Sequence, residues 1–355
     1  MTDQQAGPAR PVAGGQRAAR LVDIASAVGV HPSTVSRVLN GGAGYSIRPE
    51  TVRRIRAEAH SRGYRPNALA RALRQHHTGT LAFVVPMLRN PIWVRLQRGA
   101  LRRAAERGYV VMITEEPTED LLPPGAYSYL VAESRADGLL LATALRTGSA
   151  GKGAAADEAL SAVPHVYVNR RGPGRGNNVV MDEAGAVRLF LKHVADLGHR
   201  SVLLIDGPPD VDTVHRRVLA TRRHCAAMGL RAVVRNAPAT ERGGFTAIRR
   251  LLAAGPLPTA IGVGSIDQVF GVLAALREAD VAVPGDVSLV SFDEDEYLAY
   301  LDVPVSTVCM PLAELGAAAV DALIARIDGD GGSDVLTREP MFLVSRGSAG
   351  PVPTR

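Results

Sequence analysis

Cysteine is scarce in this 355-residue chain, which has two, Cys225 and Cys309. Two isolated thiols exclude a disulfide framework and leave no CxxC metal pair. Long hydrophobic runs are missing as well. No apolar stretch reaches the roughly 20 residues that a membrane-spanning helix needs, and the opening residues lack the apolar segment of a signal peptide. The expectation is a soluble cytoplasmic protein with no membrane partner. Lys152 and Lys192 are the only lysines, a bias attributed to genome composition, and Trp93 is the only tryptophan.

Catalytic signatures are missing too. Gly262-Val-Gly264 follows a strand-like run, but Asp267 stands where GxGxxG requires its third glycine. No GxxxxGK[ST] phosphate loop and no GxSxG elbow occurs. His224 and Cys225 are neighbours in a helical pattern, so their side chains diverge. The acid pairs Glu115-Glu116 and Asp293 with Asp295 read as solvated charge. An enzyme is therefore not expected, and neither a cofactor nor a metal site is.

What the chain does have is an uneven charge. The net value is +6, yet residues 1–78 hold 12 Arg against 4 acids, which is +8 and leaves −2 on the remainder. A basic head on a nearly neutral body is the electrostatic footprint of a nucleic-acid-binding module.

Within that head, residues 1–19 are rich in Gly, Pro, Ala and Gln without periodicity and read as a disordered arm. From Arg20 the pattern changes. Leu21, Ile24, Ala25 and Val28 recur at helical spacing. Gly29 supplies a sharp corner, His31 stands at an N-cap, and Pro32 suits the first helical position. Val35, Val38 and Leu39 then form the inner face of a second helix, with Pro32, Ser33, Ser36 and Arg37 outward. This is a helix-turn-helix, whose second helix lies in the DNA major groove; an αα-hairpin inside an ordinary helical domain is the plainer alternative. A third helix begins near Pro49, turns Val52, Ile55 and Ala59 inward, and ends at Gly63. Tyr64-Arg-Pro-Asn67 is an extended connection, and Asn67 caps a short helix, Ala68 to Arg74. That helix is too short to stand alone and needs a packing partner.

From Thr80 strands and helices alternate. Strands are expected at Leu81–Val85, Tyr109–Thr114, Gly138–Leu141, His165–Val168, Ser201–Ile205, Ala260–Val263 and Val287–Ser291. Helices are expected near Ile92–Arg107, Glu183–Leu197, Arg217–Met228, Gly243–Ala253, Asp267–Ala279 and Leu312–Ile327. Alternation of this kind means parallel sheets covered by helices on both faces. About 265 residues is long for one such sheet, so two α/β subdomains are expected, with a ligand at the carboxyl ends of their strands.

The chain resembles the lactose-repressor (LacI/GalR) family of bacterial transcription regulators. The matching pieces are Val22-Asp-Ile-Ala25, Thr34-Val-Ser-Arg-Val-Leu-Asn40 and Gly63-Tyr-Arg-Pro-Asn-Ala-Leu-Ala-Arg-Ala-Leu73. Further on come Asn90-Pro91, Leu197-Gly-His-Arg200, Pro284-Gly-Asp-Val-Ser-Leu-Val-Ser-Phe-Asp293 and Phe342-Leu-Val-Ser-Arg346. The resemblance implies an all-α helix-turn-helix headpiece at 20–65 and a hinge helix and linker at 66–78. It implies an α/β core at 79–348, two doubly wound subdomains like a periplasmic binding protein. The N-subdomain is expected at 79–177 plus 309–335, and the C-subdomain at 178–308 plus 336–348.

The implied function is a repressor-type regulator, a homodimer on a palindromic double-stranded DNA operator. Its effector would be a sugar, nucleoside or related metabolite. Ligand-independent DNA binding, or solute binding without a switch, is the alternative. By resemblance, Pro32, Ser33 and Arg37 read bases, and Thr34 and Ser36 hold phosphates. Asn67, Ala68, Ala72 and Leu73 belong to the hinge, with Leu73 levered into the minor groove. Trp93, Arg217, Phe292 and Asp293 contact the effector. Relatives often have Ser at the place of His31. Many read Asn-Asp where this chain has Ile266-Asp267; Ile offers no hydrogen bond to a sugar, and Asp267 is expected to cap the next helix. Val211 and the proline-bearing segment Glu115–Tyr129 depart likewise, which favours an effector with a larger apolar or aromatic part. With no C-terminal heptad run, a coiled-coil tetramer is not expected.

Overall fold

A computed structural model describes residues 20–39, 47–64, 77–86, 88, 90–115, 128–133, 135–142, 160, 162–172 and 176–353. The chain divides into two compact units, one up to His76 and one from His77 onward. The expected arm, and hinge residues Asn67, Ala68, Ala72 and Leu73, lie outside the described residues.

Among its described residues the first unit holds three helices, α1 (Leu21–Val28), α2 (Pro32–Leu39) and α3 (Pro49–Ser61). Asp23 accepts a hydrogen bond from the Arg20 N–H at 2.9 Å and so ties down the start of α1. Gly29 closes it at φ +73°, a left-handed conformation that a side chain would strain. The Val30 N–H then reaches back to the Ala25 carbonyl at 3.0 Å. The inner faces meet as the spacing demands: Ile24, Val35 and Ile55 are fully buried, with Ala25, Val28 and Val38 around them. Each such aliphatic side chain contributes about 1.5–3 kcal/mol, which a unit this small needs. Arg54 Nη2 donates to the Val28 carbonyl at 3.1 Å, satisfying an end of α1 that no intrahelical partner serves.

The second unit is built on two six-stranded sheets. The strands of the first are β1 (Thr80–Val85), β2 (Val110–Glu115), β3 (Gly138–Leu141), β4 (His165–Val168), β5 (Asn178–Met181) and β11 (Val335–Thr337). They run in the order β11-β5-β4-β3-β1-β2 and are parallel throughout. The strands of the second are β6 (Ser201–Asp206), β7 (Arg231–Asn236), β8 (Ala260–Val263), β9 (Ser288–Ser291), β10 (Ser306–Cys309) and β12 (Phe342–Val344). Their order is β12-β10-β9-β8-β6-β7, and among the described residues only β12 is antiparallel. Strands covered on both faces read as apolar runs rather than alternating patterns, as in β1, whose last five residues are buried.

Among the described residues the helices of the first lobe are α4 (Pro91–Glu106), the one-turn α5 (Tyr129–Ala132) and α10 (Leu312–Ile327). Those of the second are α6 (Glu183–Asp196), α7 (Asp212–Met228), α8 (Glu241–Ala254) and α9 (Ile266–Glu278). Close packing in both lobes uses glycine. A Cβ on Gly316 of α10 would sit 2.1 Å from the Leu96 carbonyl of α4, and one on Gly271 of α9 would sit 1.8 Å from the Glu241 carbonyl of α8.

Several elements depart from expectation. α7 begins at Asp212, more than a turn before Arg217. Ser265, not Asp267, caps α9, accepting from the Gln268 N–H at 3.4 Å. Ile266 is 1 % exposed in the second core, so it is a packing residue. β5 pairs with β4 and β11 pairs with β5, which keeps 178–181 and 335–337 in the first sheet. The chain thus crosses between lobes after Met181, after Cys309 and after Thr337, a few residues from the expected divisions at 177 and 335.

Candidate functional site

In the helical unit, the first turn of α2 presents the residues expected to meet DNA. Ser33 and Arg37 are exposed or partly so, as are Pro32, Thr34 and Ser36, and Val35 and Val38 turn inward. His31 caps the helix through its ring: the Ser33 N–H donates to Nδ1 at 3.2 Å, and Ser33 Oγ lies 2.8 Å from the same nitrogen. The cap expected from sequence is therefore an imidazole cap.

The second site lies at the carboxyl ends of β6, β8 and β9. In the order β7-β6-β8 the chain leaves β6 in opposite directions, and such a switch point opens a crevice above the strands. Here α7 delivers Arg217, 7 % exposed, into a ring of acceptors. Nε donates to Glu183 Oε2 at 3.0 Å, and Nη1 lies 3.2 Å from both oxygens of Asp206 and 3.0 Å from the Gly264 carbonyl. The guanidinium sits over the Phe292 ring at 4.8 Å, and Phe190 meets that ring edge-on at 5.4 Å. Nη2 is the one guanidinium nitrogen that forms no hydrogen bond with the described residues. Gly264 has to be glycine, because a Cβ there would stand 2.1 Å from Asp206 Oδ1.

Electrostatics follow from burial. Burial works against the charge of Arg217, but Asp206, Glu183 and Asp293 outweigh it and raise the guanidinium's pKa. Burial raises the Asp206 carboxyl above its ordinary range despite Arg217. Asp293, at the end of β9, is pushed up to about 7 by burial, with Arg217 pulling the other way. It is 5 % exposed, which corrects its reading as solvated charge. Next to it Glu294 is pinned by a two-pronged ion pair with Arg346, at 2.7 and 2.9 Å, and by Thr307 Oγ1. Arg95 of α4 reaches across from the first lobe and donates to the Glu294 carbonyl at 2.9 Å.

Three of the four expected effector residues, Arg217, Asp293 and Phe292, thus converge. Trp93 is 7 % exposed and packs in the core with Leu96 and Ala100; among the described residues no ring contact or hydrogen bond joins it to the Arg217 cluster. Phe292 is wholly buried beneath the guanidinium and supports it. Arg216, the alternative to Arg217, bonds Asp212 and the Met181 carbonyl. Sequence reasoning missed Glu183, Asp206, Gly264 and Arg95. Asp206, directly before the Gly207-Pro208 turn, was the one with a local signal.

The model of bacterial regulatory proteins of the lacI family matches residues 20–67, and that of the periplasmic binding protein-like domain matches residues 191–349. The chain is 29 % identical over 342 residues to the ribose operon repressor of Escherichia coli K12, covering 93 % of this chain and 100 % of that one. It is 31 % identical over 356 residues to the HTH-type transcriptional regulator MalR of Streptomyces coelicolor, covering 94 % and 97 %. In fold it resembles the lac repressor dimer bound to operator and the anti-inducer ONPF, with a TM-score of 0.80 at 22 % identity, covering 94 % and 100 %. A helix-turn-helix unit and a periplasmic-binding-protein-like unit in one chain define a DNA-binding transcriptional regulator. The chain belongs to the lacI family of bacterial regulatory proteins. Among its described residues, no helix is long and apolar enough to cross a membrane.

Proposed function

We propose that the protein is a homodimeric repressor that reads a palindromic operator through two headpieces about one helical turn apart, under the control of a small molecule bound between the lobes. The observation that carries this reading is the Arg217 cluster: a buried cation and buried carboxylates gathered at the switch point of a lobe that Arg95 ties to its neighbour. Such a cluster stabilises the fold poorly and suits ligand recognition. Pro32, Ser33 and Arg37 read bases, Thr34 and Ser36 hold phosphates, and the segment with Asn67, Ala68, Ala72 and Leu73 bends the duplex.

In the core, Arg217 Nη2 offers a donor and the Asp293 carboxylate an acceptor. That pair fits a ligand with hydroxyl or amino groups, such as a sugar, a nucleoside or a related metabolite. A second copy of the chain is supported by apolar side chains left in solvent. Val94 and Leu101 are 50 % and 41 % exposed seven residues apart on α4, and Tyr300 is 85 % exposed. Closure of the lobes changes operator affinity by about 5- to 150-fold, the usual size of such coupling.

Selection of bound duplexes from a random pool with the full-length protein tests this, followed by affinity measurement with and without sugars and nucleosides. A two-fold symmetric site whose affinity shifts with one ligand class supports the reading. Equal affinity for selected and scrambled duplexes refutes it, and a symmetric site with no ligand response leaves a ligand-independent regulator.

A further inference from the structure

We propose that His31 fixes the hydrogen-bonding polarity of the recognition surface, so that Ser33 meets DNA only as an acceptor. This rests on the reading of α2 as the base-reading helix. The Ser33 backbone amide lies 3.2 Å from His31 Nδ1. An amide N–H can only donate, so Nδ1 is the bare nitrogen and the neutral ring carries its proton on Nε2. Ser33 Oγ lies 2.8 Å from that same Nδ1. Its single hydroxyl hydrogen is therefore committed to the ring, and what remains on the oxygen is lone pairs.

An unconstrained serine rotates its hydroxyl to suit either a donor or an acceptor on a base edge. A serine locked in this way does not. In the major groove the donors are the exocyclic amino groups, N6 of adenine and N4 of cytosine, whereas guanine and thymine offer only acceptors there. Ser33 therefore selects adenine or cytosine on the strand it faces. The hydrogen bonds between Ser33 and His31 lie in an exposed part of the first turn of α2, where the helix-turn-helix brings side chains to base edges.

The test uses full-length protein and the duplex obtained by selection, carrying single-group deletions in each half-site. Purine in place of adenine or pyrimidin-2-one in place of cytosine removes an amino group; 7-deazapurines remove an acceptor. One amino deletion is expected to weaken wild-type binding about three- to tenfold, the worth of one neutral hydrogen bond, and to have no effect on Ser33→Ala. The 7-deaza deletions should affect wild type and Ser33→Ala alike. His31→Ala, which frees the hydroxyl, should tolerate guanine or thymine at that position. Removing the Ser33 hydroxyl leaves its backbone N–H on the imidazole, so Ser33→Ala decides the matter even if His31→Ala frays the helix. Coupling of Ser33 to an acceptor deletion, or to none, overturns the inference while leaving operator binding intact. Failure to select any duplex removes the base-reading helix itself and this inference with it.

Discussion

Replacing Asp293 by asparagine should stabilise the ligand-free protein at pH 8 and leave it unchanged near pH 4. In the folded chain burial pushes this carboxyl up to about 7, while in the unfolded chain it titrates near the ordinary value of 3.8. Between those limits the native state holds a proton that the unfolded state has released. Stability therefore falls as pH rises from about 4 through 7 and is flat above. The whole interval corresponds to about 4 kcal/mol, at 1.36 kcal/mol for each tenfold change in proton affinity. An asparagine carries no charge to desolvate, so it removes this penalty. For a unit of this size the gain at pH 8 amounts to about 5–10 °C in melting temperature. Thermal unfolding of both proteins at half-unit steps from pH 5 to 8.5 provides the measurement. A difference that stays constant with pH, or an asparagine variant that melts lower at pH 8, would mean that the buried carboxyl carries no such penalty.

Arg217→Ala strands Glu183 and Asp206, whose side chains are 1 % and 3 % exposed, and should destabilise the protein by about 3–5 kcal/mol. The loss should shrink in acid, as the Asp206 carboxyl, already raised by burial, takes up a proton, which urea titrations at pH 5 and 8 will show. Gly264→Ala drives a methyl into an Asp206 carboxylate already held by Arg217 and by the Gly207 N–H at 2.8 Å. It should cost about 1–3 kcal/mol and add little in the Arg217→Ala background, since both break one network. Asp137 accepts from the Thr78 and Gly79 N–H groups at 2.6 and 2.8 Å where the chain enters the core. Asp137→Ala should speed hydrogen exchange at those two amides, with the central strands unaffected; unchanged exchange would deny the clamp.

Much of this was legible in the residues, for reasons that differ by element. The headpiece faces were readable because Ile24, Val28, Val35 and Ile55 repeat at helical spacing around a glycine corner. The strands β5 and β10 were not, since each follows another strand, β4 or β9, with no α-helix between them among the described residues, so the strand–helix alternation that placed the equally short β3 and β8 left no slot for them. β7 escaped because arginines flank its three apolar residues, as suits an edge strand. The start of α7 was hidden by Thr213 and Val214, β-branched residues that favour helix weakly. Arg217, Phe292 and Asp293 were found through family resemblance. Glu183 and Asp206 were not, because their role comes from three-dimensional convergence on one guanidinium, which no local spacing encodes.

That convergence leaves a charge imbalance with a measurable consequence. Glu183 and Asp206 hold the Arg217 cation between them, and Asp293 adds a third buried carboxyl that no side chain among the described residues hydrogen-bonds. In the ligand-free protein that carboxyl takes a proton below about pH 7. A hydroxyl or amino group of a ligand donates to the ionised form and so binds it in preference, which draws the pKa down. By linkage, affinity should climb up to tenfold per pH unit below about 7 and level off above, and Asp293→Asn should lose that slope. Calorimetric titration from pH 5.5 to 8.5, with whichever ligand shifts operator affinity, measures it. An affinity unaffected by pH in the wild type would mean that the ligand makes no net distinction between the two forms of Asp293, and the carboxylate would then have to be removed from the proposed contact set.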